Sequence, residues 1–361
     1  MSVNVYTEWG KLKEIVVGSV VNTNRENVDL SFKLFYHQNI KDQILKSSVE
    51  LQRRLIDQRQ EDLDGLAGYL EELGVRVHRP QKLESVREYT TPHFTARQRP
   101  MDNPRDLILI IGDTIIETPV LNRARYFETD LVKETLHRYF LEGAKWICAP
   151  RPTLANESFD FSFVKKEPGR QDFTSFENRP ERFEIMFDAA QCLKMGRHVL
   201  MNVSTENHRL GARWLQGVLG EKFEVVVVEV TDHHIDGMLM PLRPGKMLIS
   251  PAMKPKLHFL PKQLQAWDMI EFDDPENTPY EDESLLLASA NISANVLSLD
   301  EENVLVFSPT GKPPLSLTRN LEKHGFNAHV VQLRHSRVFD GGLHCATLDT
   351  VRVDRLQDFW S

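Results

Sequence analysis

A short unit recurs along this chain: an amphipathic helix that stops at a glycine, a brief extended run, and then a pair of strand-like segments. Residues 52–73 carry apolar side chains at Leu55, Ile56, Leu63, Leu66, Leu70 and Leu73 and end before Gly74, and 130–143 and 316–325 end on glycines in the same way. Each helix precedes an extended run, at 75–77, 145–147 or 328–331. Strand-like runs punctuated by glycine or proline lie at 14–18, 107–112 with 114–118, 198–203, 247–251, 303–309 and 343–348. A unit of this content, repeated at intervals of roughly 50–90 residues, predicts several α/β modules around one centre. The competing arrangement, a doubly wound dinucleotide fold, lacks its signature, since no Gly-x-Gly-x-x-Gly follows a strand and opens a helix. Residues 84–104 and 155–182, rich in Pro, Arg, Asn and aromatics without periodicity, read as long loops of the kind that serve as lids or binding segments.

Composition narrows the chemistry. A chain of 361 residues buries a core large enough to need no staples. Cys148, Cys192 and Cys345 are too few and too scattered for a disulfide framework or a four-cysteine metal site, which suits a reducing compartment. With no basic leader and no run near the ~18 apolar residues of a membrane span, a soluble cytoplasmic protein is expected. The net charge is -8 and no Lys/Arg tract is present, so nucleic acid is not an expected partner. Lys254-Pro-Lys256, the nearest approach to a basic cluster, reads as a solvated loop.

Cys345 follows Gly341-Gly342-Leu343-His344, and a His-Ile-Asp triplet lies at 234–236. A thiolate is the attacking form of cysteine and needs a neighbouring imidazole or positive environment to exist at neutral pH. The glycine pair is expected to supply a tight turn that presents it. A free cysteine taken alone is more often a core residue, and Cys148 and Cys192, the latter in a helical-looking Ala-Ala-Gln-Cys-Leu, are read that way. Asp106, Asp188 and Asp236 each sit beside a strand or glycine turn, although each also has a plainer role: an ion pair with Arg105, a cap for the turn from Ala189, and a turn residue before Gly237. A rival constellation is His234 and Asp236 with His335 or His344, the outline of a two-His-one-carboxylate iron site. It leaves Cys345 and the other aspartates without a purpose.

The motifs Val5-Tyr-Thr-Glu-Trp9, Pro104-Arg-Asp106, Ile115-Ile-Glu-Thr-Pro119, Arg123-Ala-Arg-Tyr-Phe-Glu128, Gly211-Ala-Arg-Trp-Leu215, Pro241-Leu-Arg-Pro-Gly245, Leu321-Glu-Lys-His-Gly325 and Gly342-Leu-His-Cys-Ala-Thr-Leu-Asp349 resemble, in order and over nearly the full length, those of the arginine amidinotransferases. The glycine and inosamine-phosphate amidinotransferases share them, and the chain is most similar to the lysine-using bacterial branch. The resemblance implies a single catalytic domain over 1–361, an α/β pentein fold of five modules in a pseudo-fivefold propeller with a central active site, and a homodimer. It implies Cys345 as nucleophile, His234 as general acid and base, Asp188 as that histidine's carboxylate, Asp106 and Asp236 as holders of the substrate guanidinium, and Ser289 as a substrate contact. Arg123 and Arg125 are read as supporting the active-site face or a domain contact, not as catalytic.

The implied chemistry is ping-pong, with Cys345 taking the amidino group of L-arginine, ornithine leaving, and an acceptor amine completing the transfer without metal or organic cofactor. Met253 falls where the family places an arginine that grips a substrate carboxylate, and a thioether cannot make that contact. Its presence favours L-lysine, giving homoarginine, over glycine, and an inosamine or other amine would escape the glycine pattern equally. Long loops would keep water from the intermediate. An arginine deiminase and a non-catalytic binding module of the same fold are the neighbouring alternatives.

Overall fold

Short apolar runs broken by a tight turn fold as hairpins, and a helical crossover then lays a third strand parallel to the second. The structure, a computed structural model, describes residues 2–23, 28–36, 51–162, 179–281 and 285–360. Among these residues are five three-stranded sheets that share one wiring. Ile108–Ile111 pairs antiparallel with Thr114–Glu117, which pairs parallel with Lys145–Cys148. Cys192–Met195, His198–Asn202 and Glu224–Val228 repeat the pattern. So do Leu239–Arg243, Lys246–Ile249 and Asp268–Glu271, and then Leu297–Ser298, Asn303–Ser308 and Asn327–Gln332. The remaining sheet takes its antiparallel pair from opposite ends of the chain: Thr347–Val353 runs against Lys11–Val17, with Asp349 opposite Ile15, and Arg76–His78 is the parallel strand.

Helices Arg53–Glu72, Lys133–Leu141, Glu206–Leu219 and Leu315–Lys323 make four of the crossovers, while Lys262–Gln265 serves the fifth with little more than a turn. Gly74, Gly143 and Gly325 follow three of these helices with φ of 77°, 101° and 81°, the left-handed conformation that stops a helix cheaply when no Cβ is present. Glu206–Leu219 is visible in the sequence as the motif at 211–215 and not as an element. Its start is fixed by Thr205, whose hydroxyl accepts the His208 N–H. The hairpin strands are buried on both faces, as Ile108–Ile111 and His198–Asn202 show throughout their length, so they read as apolar runs without alternation.

Several expectations need correction. The run at 343–348 is not one strand; 343–346 form a turn and the strand begins at Thr347. Cys192 opens a strand, not a helix, although it is buried as expected. Cys148 is not a core residue: it is exposed, with Sγ donating to Glu117 Oε1 at 3.3 Å. The stretch 84–104 contains a small hairpin, Glu88–Thr90 against Thr95–Arg97. Residues 163–178 of the other expected loop lie outside the described residues. Among the described residues, no helix is long and apolar enough to cross a membrane.

Candidate active site

In every sheet, the first strand of the antiparallel pair is preceded by a tight turn, and the five turns carry the site. Pro104–Asp106 delivers Asp106, Asp188 precedes Ala189–Gln191, and His234 and Asp236 bracket the start of Ile235–Gly237. Asn295 follows Ile292–Ala294, and the turn at 343–346 holds His344 and Cys345. The glycine pair acts through close approach and not through an unusual φ: a Cβ on Gly341 would fall 2.2 Å from Asn103 Oδ1, and one on Gly342 2.7 Å from Asn295 Cβ. Replacing either would push the Cys345 turn away from its neighbours.

The predicted residues come together around the thiol. Asp106, Asp188, Asp236 and Cys345 are all at most 4% exposed. Cys345 Sγ donates to Asp236 Oδ2 at 3.2 Å and accepts from Asn295 Nδ2 at 3.1 Å, while the Cys345 N–H donates to Asn295 Oδ1 at 2.9 Å. His234 Nε2 lies 3.0 Å from Asp188 Oδ2, and its Nδ1 lies 3.6 Å from Asp106 Oδ1. Arg125 Nη1 donates to Asp106 Oδ2 at 2.5 Å and grips Glu128 with Nε and Nη2, so it supports the face as expected. Asp106 is therefore not paired with Arg105, which turns instead to Asp349. Asp188 combines both of its readings, since its backbone N–H joins the turn through Gln191 Oε1 while its carboxylate meets His234.

One pattern links the three aspartates. Each has Oδ2 engaged, by Arg125, by His234, or by His344 and Cys345, and each has a buried Oδ1 with no hydrogen-bond partner. Buried acceptors without donors are costly, and the two beside the thiol, on Asp106 and Asp236, describe a site shaped for a donor-rich cation.

The electrostatics follow from burial among carboxylates. Burial alone would depress His234, but Asp106 and the hydrogen bond to Asp188 prevail and push it up to about 10, so the ring is an imidazolium at neutral pH. Burial raises Asp106, with Asp188 adding to the rise against His234 and Arg125. Burial likewise raises the Cys345 thiol, and Asp236 and Asp106 carry it well above its usual value. Burial would also raise Asp236, but His344 and His234 hold it below the ordinary carboxylate range.

A cavity of about 220 Å³ opens on Cys345, His234, Asp236 and Asn295, with Ser289 exposed along its lining and Phe35 packed edge-on against His234 at 5.2 Å. Met253 does not reach it. Its thioether is fully buried in the core cluster with Leu239 and Leu260, and Ala252 and Lys256 line the cavity from that segment instead. Lys254 points away to Glu271 at 2.7 Å. A larger cleft of about 470 Å³ bordered by Glu117, Trp146 and Arg151 holds none of the site groups.

The iron constellation is not assembled. His335 pairs through its two ring nitrogens with Gln58 and Tyr280, and His344 with Asp236 and Glu8. Ligand atoms of Asp106, His234 and Cys345 lie within 4.8 Å of one another, a set that differs from the two-histidine constellation. Sequence reasoning missed Asn295, gave Glu8 no role, and entered His344 only as a candidate ligand of the rival iron site. The only hint was the presence of the last two within the Val5–Trp9 and Gly342–Asp349 motifs.

Over 98% of this chain, and 95% of the relative, the sequence is 32% identical to the L-arginine:L-lysine amidinotransferase of Pseudomonas savastanoi pv. phaseolicola. The chain belongs to the amidinotransferase family. An inosamine-phosphate amidinotransferase of Streptomyces griseus is 32% identical over 98% of both chains, and the mitochondrial glycine amidinotransferase of Xenopus tropicalis is 28% identical over 99% of this chain and 84% of its own. Among solved structures, the Streptomyces griseus inosamine-phosphate amidinotransferase superposes with a TM-score of 0.85 at 30% identity, covering 99% of each chain. A dimethylarginine dimethylaminohydrolase from Pseudomonas aeruginosa, 16% identical with a TM-score of 0.56 over 94% of this chain and 99% of its own, shares the α/β pentein fold alone. No protein-family model matches the chain.

Proposed function

We propose that this amidinotransferase takes the amidino group of L-arginine onto Cys345 and passes it to L-lysine, releasing L-ornithine and forming L-homoarginine. The five sheets are then the modules of a pseudo-fivefold propeller, with the five turns meeting at its centre. The observation that carries the reading is the pair of buried, unpartnered carboxylate oxygens, of Asp106 and Asp236, beside one thiol. A guanidinium has five N–H donors in a plane and no acceptor, so Asp106 and Asp236 hold it with its carbon facing Sγ. Its charge also offsets the carboxylates that keep the thiol protonated, which makes thiolate formation follow substrate binding.

The thiol proton leaves by way of Asp236 Oδ2, to which it is already hydrogen-bonded. The thiolate attacks the guanidino carbon, and the His234 imidazolium protonates the departing ornithine nitrogen. An amidino group remains on sulfur and His234 is left neutral. The incoming amine attacks that group, the C–S bond breaks, the released Cys345 thiolate takes back its proton from Asp236, and His234 takes the proton of the amine, while Asp188 fixes the ring throughout.

Lys256 is the single lysine or arginine among the described residues that line the cavity, and its Nζ donates to the Val230 carbonyl at 2.5 Å. It is the cation available to an amino-acid carboxylate there, and it takes over the place first given to Met253. Lysine as acceptor is supported by the similarity to the Pseudomonas enzyme, with glycine and inosamine phosphate as the competing acceptors. Purified protein supplied with arginine and a panel of lysine, glycine and an aminocyclitol phosphate, with products identified by mass spectrometry, tests both steps. Homoarginine with ornithine is the expected outcome. Guanidinoacetate as the main product would overturn the acceptor, and citrulline would overturn transfer in favour of hydrolysis.

A further inference from the structure

Behind Asp236, on the side away from the cavity, His344 lies between two carboxylates. Its Nδ1 is 2.8 Å from Asp236 Oδ2 and its Nε2 is 3.1 Å from Glu8 Oε2. The ring and Glu8 are each 2% exposed, and neither is among the residues that line the cavity. Glu8 is itself held: its Oε1 accepts the Lys194 N–H at 2.9 Å, and Lys194 Nζ lies 3.3 Å from the same oxygen. The backbone of His344 is fixed as well, since its carbonyl accepts from Arg105 Nε at 3.1 Å.

We propose that His344 and Glu8 form a positioning pair that sets, through Asp236, how readily the Cys345 thiol ionises and which oxygen of Asp236 is left for the substrate. A neutral imidazole has one N–H, and ionised carboxylates only accept, so donation to both Asp236 and Glu8 requires the doubly protonated ring. That ring places a positive charge against the same Asp236 Oδ2 that faces Sγ, where it offsets the repulsion between carboxylate and thiolate. It also ties down Oδ2 and leaves Oδ1 free, the arrangement on which guanidinium binding depends. Glu8 is the anion that anchors the ring from behind and supports its second proton. His344 does not touch the substrate, so it is a positioning residue and not a catalytic one.

The inference rests on Cys345 being the nucleophile, but its test needs no turnover. Free enzyme is treated with iodoacetamide across pH 6.5–9.5, and alkylation of the Cys345 peptide is followed by mass spectrometry. Asp106, Asp236, Asp340 and His234 act on the thiol, with Arg59 as a further cation. Lys194, Arg105 and Asp349 surround Glu8. All of these are common to wild type and variants.

His344→Asn keeps a hydrogen-bond donor near Asp236 but removes the charge, and is expected to slow alkylation at each pH roughly tenfold, the effect of losing one nearby opposite charge. Glu8→Gln keeps the shape but removes one of the two ionised acceptors, so the ring needs only one proton, and alkylation is expected to slow by a smaller factor. Glu8→Asp keeps the anion but shortens the side chain, and is expected to stay nearer to wild type than Glu8→Gln, whereas a merely structural role would make the shortened variant the slower one. Alkylation of Glu8→Gln at the wild-type rate, or slower alkylation of Glu8→Asp than of Glu8→Gln, would overturn the proposal. If His344→Asn does not fold, as judged by its melting curve, the order of the two Glu8 variants decides alone. Normal alkylation shifts without any amidino transfer would leave the positioning pair standing and remove the amidinotransferase chemistry.

Discussion

Two histidines in this molecule each lie between two carboxylates, and they differ in what lies beyond the ring. His234, between Asp188 and Asp106, lines the cavity and meets Phe35 edge-on. His344, between Asp236 and Glu8, is walled off by Arg105, Lys194 and Asp349. The same local chemistry therefore serves two ends. Where the ring faces open space its proton can be exchanged with a substrate, and where it faces only fixed groups it can do no more than hold its neighbours in place.

The harshest way to break this comparison is at the thiol that both histidines serve. Cys345→Ser should lower transfer by at least about 10⁴-fold, because the covalent intermediate cannot form. Wild type incubated with arginine alone should gain the mass of an amidino group on the Cys345 peptide, and near-normal turnover by the Cys345→Ser variant would end the mechanism. His234→Gln should cost roughly 10²–10⁴-fold in kcat, the range for loss of a general acid and base, with a smaller change in KM for arginine. Equal turnover in this variant and wild type would remove His234 from proton transfer and erase the distinction between the two rings.

The contrast also separates what the sequence discloses from what it hides. One strand of each sheet was legible because both of its faces are buried, so an apolar run marks it directly, whereas the partner strands Cys192–Met195, Leu239–Arg243 and Leu297–Ser298 were not. Cys345, His234 and the three aspartates were legible because they sit in polar turns next to those runs, and the family motifs assigned them roles. Asn295 and Glu8 were not, since nothing local distinguishes an asparagine that clamps a thiol from one that ends a turn, and Glu8 meets His344 across 336 positions of sequence. Met253 misled for a similar reason: its place in the chain matched a substrate contact, but which of two neighbouring side chains turns inward is decided by packing against Leu239 and Leu260. The sequence around Cys148 looked apolar on both sides, yet it falls at the end of its strand and faces out.

Next in size is the guanidinium grip, which sharpens the comparison because Asp106 belongs to the His234 side and Asp236 to the His344 side. Asp106→Asn and Asp236→Asn should each lower kcat/KM for arginine by roughly 10²–10³-fold, since an amide turns a donor toward a group that has only donors. Asp236→Asn should in addition make Cys345 easier to alkylate, by removing the closest anion from the thiol. Unchanged arginine kinetics in both folded variants would mean that the guanidinium lies elsewhere. Smaller again is Lys256→Met, expected to lower kcat/KM for arginine by about tenfold, near 1.4 kcal/mol, while leaving agmatine, which lacks the carboxylate, almost unaffected. Equal losses on the two donors would show that Lys256 does not read the carboxylate.

The smallest effect is thermodynamic and asks whether the His234 charge is as firmly held as its surroundings imply. Its folded-state pKa of about 10 stands above the ordinary 6.5, with burial opposing the rise and Asp106 and Asp188 driving it. A base raised in this way stabilises the folded state in full below about pH 6.5, and the contribution is lost as pH rises toward and through about 10. His234→Gln can still donate to Asp188 but carries no charge, so it lacks that contribution at every pH. The melting temperature of wild type should exceed that of the variant most clearly near pH 6, by a few degrees, given that about 1 kcal/mol shifts a chain of this class by roughly 2–4 °C or less. The gap should then narrow steadily between pH 7 and pH 10. A gap that stayed constant over that range would mean that His234 is neutral in the folded protein, and a neutral ring could not protonate the departing ornithine.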